Sequence, residues 1–286
     1  MTGTGTQADP FIVDNWPDFC TAIGTADAYV EFPQGGGNID FNNYSPTGLS
    51  ASVPVRCKSI KGNGWTISNI YCLGKDVFYS YTKVYIERLN FLDFYVDFQT
   101  ERRKFFWHDN DNSNDAEFHQ CAFSGLLVSR DDAQETGLFF IAYYYSRVQC
   151  EQCSINVQLG NGCKLYYVGG TGVSTYNHLS YCNIKLQGNS TEAIEGDYRN
   201  CLFSGSSKAE SVNITYNGTA NSNIFNVDFT EASAFNCTAP SGSLNLINTD
   251  LLPAGATIGT GFVGVTTAQL HDAAYLASIG FPIGVD

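Results

Sequence analysis

Phe118-His119-Gln120-Cys121-Ala122-Phe123 and, 32 residues further on, Cys150-Glu151-Gln152-Cys153-Ser154-Ile155 share one pattern. An apolar residue or thiol is followed by two polar residues, a thiol, one spacer and a second large apolar residue. Looser copies are Ile67/Ile70/Cys72, Ile86/Leu89/Phe91, Leu179/Cys182/Ile184, Tyr198/Cys201/Phe203, Ile224/Val227/Phe229 and Leu246/Thr249/Leu251. Successive middle members stand between 19 and 32 residues apart. The last two members of each copy are two apart and so share one face of a strand. The first and middle members are three apart, which strand alternation alone would place on opposite faces. A bend between them restores a common inward direction. The residue before the middle member is Asn69, Asn200, Asn226 or Asn248 in four copies and Gln120 or Gln152 in two. Asn enters the left-handed backbone region more readily than most residues. The unit therefore reads as strand, corner, strand.

A unit of roughly 20–30 residues with two or three short strands cannot bury its apolar face alone and must stack on its neighbours. Stacked turns of a parallel β-helix meet that need. A β-sandwich is also made of short strands, but its hairpins favour Asn-Gly or Asp-Gly turns at regular short spacing. Asn161-Gly162 and Asn217-Gly218 are such dipeptides, yet the recurring corner between apolar residues fits the solenoid better. The expected fold is all-β, a single-stranded parallel β-helix. Both ends read as short helical caps. Trp16, Phe19, Cys20 and Ile23 form an amphipathic stripe ending at Gly24, with Asn15 as N-cap and Pro17 in the first turn. Thr266-Thr267-Ala268-Gln269 is a capping-box pattern, from which a helix is expected to run through Leu270, Ala273, Ala274 and Leu276 to Gly280. The chain divides into an N-terminal cap with first strands (1–45), a shaft (46–262) and a C-terminal helical cap (263–286), all one continuous domain.

Composition agrees and excludes several classes. Charged residues make up 15% of the 286, against about 25% in an ordinary soluble domain. Fifteen Lys and Arg against 28 Asp and Glu leave a net charge of −13, which argues against nucleic acid and against an anionic membrane surface. Hydrophobic content of 43% excludes a disordered chain. No stretch approaches the ~18 apolar residues of a membrane span, so no membrane insertion is expected. The opening Met1-Thr2-Gly3-Thr4-Gly5-Thr6 has no basic segment and no apolar segment, so a product made soluble in a cytoplasm is expected, without the general secretory route.

Three stretches carry a resemblance. Gly3-Thr4-Gly5-Thr6 with Asp9-Pro10-Phe11-Ile12-Val13, then Tyr29-Val30-Glu31-Phe32 and Ile39-Asp40-Phe41, resembles the opening of bacterial and phage surface β-helices. Lys61-Gly62-Asn63-Gly64-Trp65-Thr66-Ile67 looks like their first full coil. Thr267-Ala268-Gln269-Leu270 with Ala274-Tyr275-Leu276-Ala277-Ser278-Ile279-Gly280-Phe281 resembles a closing segment of β-helical virion proteins of phages and prophages of gut Firmicutes. The resemblance covers both ends and the repeat. It implies a right-handed β-helix on the particle exterior, in a tail, fibre or capsid-surface position and often trimeric. Other virion proteins, and a polysaccharide of the host surface, are the partners it implies. The chain is then assembled in the host cytoplasm into the virion. It implies no catalytic residue and no cofactor.

Enzymes on the same scaffold are the alternative. Polygalacturonase-type hydrolases need clustered Asp residues for acid and base steps, in the order Asn-Thr-Asp, Asp-Asp, Gly-His-Gly, Arg-Ile-Lys. Here Asn248-Thr249-Asp250 comes after Asp131-Asp132, and none of His108, His119, His178 or His271 lies between glycines. Thr249 reads simply as the inward residue of one coil. No stack of calcium carboxylates with a basic residue is seen for a lyase. A bacterial cell-surface adhesin is the third reading, weakened by the missing export signal. The run Asp109-Asn110-Asp111-Asn112-Ser113-Asn114-Asp115-Ala116-Glu117 begins like a calcium loop, but Asn114 and Gln120 stand where Gly and Glu are required. It reads as a solvated loop between strands Phe105–His108 and Glu117–Phe123, and no metal is expected. Arg102-Arg103-Lys104 reads as a salt-bridged surface patch or an intersubunit contact.

Runs of aromatic residues are the remaining candidates, because alternate members of a strand must face outward. Trp107, Tyr143, Tyr145 and Tyr167 are the rings picked out for contact with a glycan or a neighbouring subunit. Ten cysteines would allow a disulfide framework. Cys72, Cys121, Cys150, Cys153, Cys182 and Cys201 instead fall on inward positions, where reduced thiols act as small apolar residues.

Overall fold

The structure is a computed structural model. It describes residues 1–99, 103–109, 115–128, 136–142, 147–160, 163–169, 178–188, 191–194, 197–199, 202–206, 211–216, 224–226, 234–238, 244–251, 256–258 and 262–280. Among these the chain is mostly β, with strands in sheets of 17, five and four. Among the described residues the strands pair with one another in parallel, for example Ala122–Val128 on Ser154–Leu159 and Thr136–Ala142 on Cys163–Gly169, and a lone antiparallel bridge joins Thr2 to Ile12. The chain alternates between sheets and returns one level higher, so it stacks as a solenoid. No helix among the described residues is long and apolar enough to cross a membrane.

Register follows the spacing of the repeat. Phe118 lies opposite Ile86, Cys150 opposite Phe118, Leu179 opposite Cys150 and Tyr198 opposite Leu179. The third members form a longer column headed by Ile67: Ile67, Phe91, Phe123, Ile155, Ile184 and Phe203 follow one another in register. Each step is one strand spacing, about 4.8 Å. All three members of the copies beginning at Ile67, Ile86, Phe118, Cys150 and Leu179 are at most 3% exposed and share one core. In-register stacking also orients the rings, with Phe91 and Phe123 at 5.5 Å and 16°.

The corner is left-handed, as the Asn and Gln pattern predicts. Asn69, Arg88, Gln120, Gln152, Tyr181 and Asn248 all have φ between 51° and 60°. Arg and Tyr show that stacking imposes this conformation even where the side chain does not favour it. Corner backbones stay hydrogen-bonded: the Gln120 N–H donates to Glu151 O at 2.9 Å and the Gln152 N–H to Ser180 O at 3.0 Å. The Gln120 side-chain amide adds a bond to that of Gln152 at 2.8 Å. Asn226 ends strand Ile224–Asn226, and Asn200 lies outside the described residues.

Three copies sit in a different frame from the one the sequence suggests. Ile67 pairs with Phe91, a third member, so Ile67/Ile70/Cys72 turns at the next corner along, where Asn69 is matched by Asp93 at φ 55°. Beyond strand Asp197–Arg199 the column of first members has no further described strand. Ile224 lies opposite Leu202, and Phe225 rather than Phe229 continues the column from Phe203 to Leu246. Thr249 is not an inward strand residue: Thr249–Leu251 is a 3-10 turn, and Leu251 is 37% exposed. The strand expected over Glu117–Phe123 is two strands, Asp115–His119 and Ala122–Val128, with the Gln120 corner between them.

The corner thiols do more than fill space. Cys121 Sγ lies 3.6 Å from Ile86 O, Cys153 Sγ 3.4 Å from Phe118 O and Cys182 Sγ 3.4 Å from Cys150 O. Each thiol reaches the carbonyl of the first member one level away, a weak hydrogen bond that an alkyl side chain cannot make. Cys57 and Cys72 are buried too, and desolvation pushes their thiols up to about 12 and about 11. Cys20, Cys57, Cys72, Cys121, Cys150, Cys153, Cys163 and Cys182 are free.

At the N-terminal end, α1 (Trp16–Gly24) is capped by Asn15, whose side chain accepts the Asp18 N–H at 3.0 Å. Its Trp16, Phe19, Ala22 and Ile23 are buried. At the C-terminal end the capping box forms as expected: Gln269 N–H to Thr266 Oγ1 at 3.3 Å and Thr266 N–H to Gln269 Oε1 at 2.9 Å. The helix that follows is not continuous. It divides into α2 (Thr267–Leu270) and α3 (Ala273–Ser278), because Asp272 leaves helical geometry and its carboxylate takes the Tyr275 N–H at 2.9 Å. Leu276 of α3 packs with Val265.

Left-handed backbone costs a non-glycine residue about 1–2 kcal/mol, partly offset for Gly by its extra freedom when unfolded. Tyr181 is 60% exposed and makes its corner at φ 55°. Thermal denaturation of Tyr181→Gly should show a gain of about 0.5 kcal/mol, and Tyr181→Val a loss of about 1 kcal/mol or more. Equal stability of the two variants would contradict a left-handed corner.

Candidate functional site

Trp107 lies on the second sheet, in strand Lys104–Asp109. Its neighbours Phe106 and His108 are buried and Trp107 is half-buried, so alternation turns the indole away from the core. Trp107 is in register with Tyr79 on one side and Phe140 on the other, and Phe140 with Tyr167. Two of the four residues picked from the sequence thus share one backbone register, to which Tyr79 is an addition. Tyr79 also meets Tyr81 edge-on at 5.6 Å, and Tyr81 is 57% exposed. Tyr143 and Tyr145 lie outside the described residues.

In the basic cluster Arg103 is salt-bridged, as the sequence suggests, but Lys104 is not at the surface. Lys104 is 2% exposed, and its backbone N–H donates to Asp76 Oδ1 at 2.7 Å. Arg103 pairs with Asp76 Oδ2 at 3.3 Å. Burial raises the Asp76 carboxyl above its ordinary value, against the pull of the Lys104 N–H and the Arg103 guanidinium. This is a structural arrangement between two strand ends. Arg102 lies outside the described residues.

A second polar feature runs up the outward face of the first sheet. Glu31, Lys61, Glu87, His119 and Glu151 succeed one another in register. Lys61 lies 3.7 Å from Glu31, and His119 Nδ1 lies 3.1 Å from Glu151 and Nε2 3.7 Å from Glu117. The Tyr85 ring packs on His119 at 4.7 Å and its hydroxyl donates to Glu87 at 3.2 Å; burial first, then the Glu87 charge, push that phenol up to about 12. The signal for this column was present: Glu87, His119 and Glu151 each precede a corner residue. It becomes visible only when the copies are aligned on their corners.

Concavity and aromatic surface coincide elsewhere, at the corner next to strand Tyr71–Leu73. A shallow groove of about 300 Å³ is lined by Asn42, Pro46, Asn69, Ile70, Tyr71, Asp93 and Tyr95. Tyr71 and Tyr95 are in register and stack at 5.5 Å and 23°. Tyr95 is 36% exposed. The loop carrying Pro46 closes the groove on one side, and Gly48 passes directly over Tyr71. At φ +99°, a Cβ there would come within 2.7 Å of the ring. Leu49 N–H donates to Tyr71 O at 2.8 Å and ties the loop to the strand. Polar groups surround the rings. Asn69 and Asp93 are the two left-handed corner residues, and Asp40 Oδ1 accepts the Asn69 amide at 3.0 Å and the Asn42 N–H at 3.1 Å. Two flat amphipathic rings, amides and one exposed carboxylate in an open groove suit a ligand with an apolar face and a hydroxyl rim. Sequence reasoning had the run Phe94-Tyr95 among its aromatic clusters but missed Tyr71 and the pairing, because the two tyrosines are 24 residues apart and joined only by register.

Asn248-Thr249-Asp250 is engaged in packing the C-terminal end. Asp250 accepts the Thr267 N–H at 2.6 Å and its hydroxyl at 2.9 Å, and the backbone bond holds the Asp250 carboxyl below the usual range. Among the described residues, no group of three or more His, Cys, Asp or Glu is placed to hold a metal ion. No protein-family model, no curated protein and no solved structure matches the chain.

Proposed function

We propose that the chain is a non-enzymatic exterior component of a phage or prophage particle, in a tail, fibre or capsid-surface position, and that it holds host-surface glycans. It is a right-handed parallel β-helix, one continuous domain, whose α1 and α2–α3 segments cover the two ends of the stack. It assembles in the host cytoplasm with other virion proteins, as a homotrimer. The observation that carries the adhesive part is the groove in which Tyr71 and Tyr95 stack beside Asn42, Asn69 and Asp93. Two things support the particle part: the solenoid stacking, which makes a stiff shaft, and the likeness of both chain ends to β-helical virion proteins. Exposed rings such as Tyr81 and the half-buried Trp107 supply apolar surface for subunit contact.

Tyr95→Ala should remove most binding to the recognised polysaccharide, measured by surface plasmon resonance. Its melting temperature should stay within a few degrees of wild type, because the ring is partly exposed. Undiminished binding would sink the groove as the contact site. Genes for capsid, portal or tape-measure proteins should flank this one; a cluster of polysaccharide-degrading enzymes in their place would overturn the particle reading. Sedimentation equilibrium should return three times the chain mass of 31.2 kDa, and a monomer in dilute solution would count against the trimer.

A further inference from the structure

We infer that the Tyr71/Tyr95 groove is selective for uncharged sugar units and turns away acidic ones. This rests on the reading of the groove as a glycan site and adds the class of glycan. Among the described residues, no Lys, Arg or His lines the groove. Among them its one ionisable lining group apart from the tyrosines is Asp93, which is exposed at the corner. A second carboxylate, Asp40, stands directly behind Asn69 and is joined to it by the 3.0 Å bond. A sugar seated on the rings is therefore within reach of one carboxylate and backed by another.

The chemistry of the rim points the same way. Asp93 can only accept hydrogen bonds while ionised, and Asn42 and Asn69 each offer an amide. Sugar hydroxyls donate and accept, so they match this set. A uronate, sulfate or phosphate group brings acceptors and negative charge, and meets no cation in the groove that would compensate its lost hydration. The whole chain adds to the effect, since −13 sets up a repulsive field for polyanions that persists over about 8–10 Å at ordinary salt. The rings contribute no preference by charge, because stacking needs only the C–H face of the sugar. Selection against acid thus falls to Asp93, with Asp40 behind it.

Asp93 also makes the test clean. It holds φ 55°, a conformation that Asn adopts as easily as Asp, so Asp93→Asn removes the charge without disturbing the corner. The probes are a panel of immobilised neutral polysaccharides and uronic-acid polysaccharides, with each acidic member also presented in carboxyl-reduced form. Wild-type protein should bind neutral members and reduced forms at least about tenfold more tightly than the acidic parents, the size of one like-charge contact at a partly exposed site. The gap should narrow in high salt and in Asp93→Asn, whose fold is checked by its melting curve. Acidic parents bound as tightly as their reduced forms would overturn the selectivity and leave the glycan site standing. Absence of binding to every member, neutral ones included, would overturn the glycan site and this inference with it.

Discussion

Parallel hydrogen bonding between successive coils is the constraint on which the rest of the molecule depends. A strand inside the stack must meet one strand below and one above in the same direction, and a one-residue slip would turn its inward side chains to solvent. The corner residues therefore accept φ near +55° even as Arg88 and Tyr181. Each such corner costs about 1–2 kcal/mol, and the coil-to-coil bonds on either side must outweigh it. Bonds such as Ser154 N–H to Cys121 O and Asn183 N–H to Cys153 O, both 2.9 Å, carry the ladder straight through the turn.

Cysteine has a specific place in this scheme. The carbonyl of a first member, just before the corner, lies beside the middle member one level away. A middle thiol is small enough to stay inside and can still donate to that carbonyl, as Cys121, Cys153 and Cys182 do for Ile86, Phe118 and Cys150. Leu89 holds the same position by apolar packing alone. Corner chemistry thus accounts for three of the free thiols, Cys121, Cys153 and Cys182.

The repeat was legible because its determinants are local. Apolar spacing, the corner residue, the Asn15 cap and the Thr266/Gln269 box each lie within six residues of sequence. What escaped was set by partners far along the chain. The frame shift at Ile67 and again at Ile224 depends on which column continues, and α2 and α3 separate because Asp272 takes a backbone N–H that a continuous helix would keep. Lys104 read as exposed by its charge, yet it is buried beside an Asp76 that precedes it by 28 residues. The site was the least legible part. Trp107 was found from a local run of rings, but its companions Tyr79 and Phe140, and the whole Tyr71/Tyr95 pair, are neighbours only through register.

That same register explains why a groove arises at a corner. Inward positions are committed to the core and outward strand positions to their column neighbours. Corner side chains point away from both. Asn69 and Asp93 are the corner residues of adjacent levels, and Tyr71 and Tyr95 are the outward residues two places on. One strand spacing therefore separates each like pair, and the groove inherits its dimensions from the backbone. Its chemistry is free of that constraint: amide, carboxylate and ring can each be exchanged while Ile70, Cys72, Phe94 and Val96, the buried residues that alternate with them, keep the stack closed. The solenoid separates what holds it together from what it presents, and charge at Asp93 is a property the fold does not require.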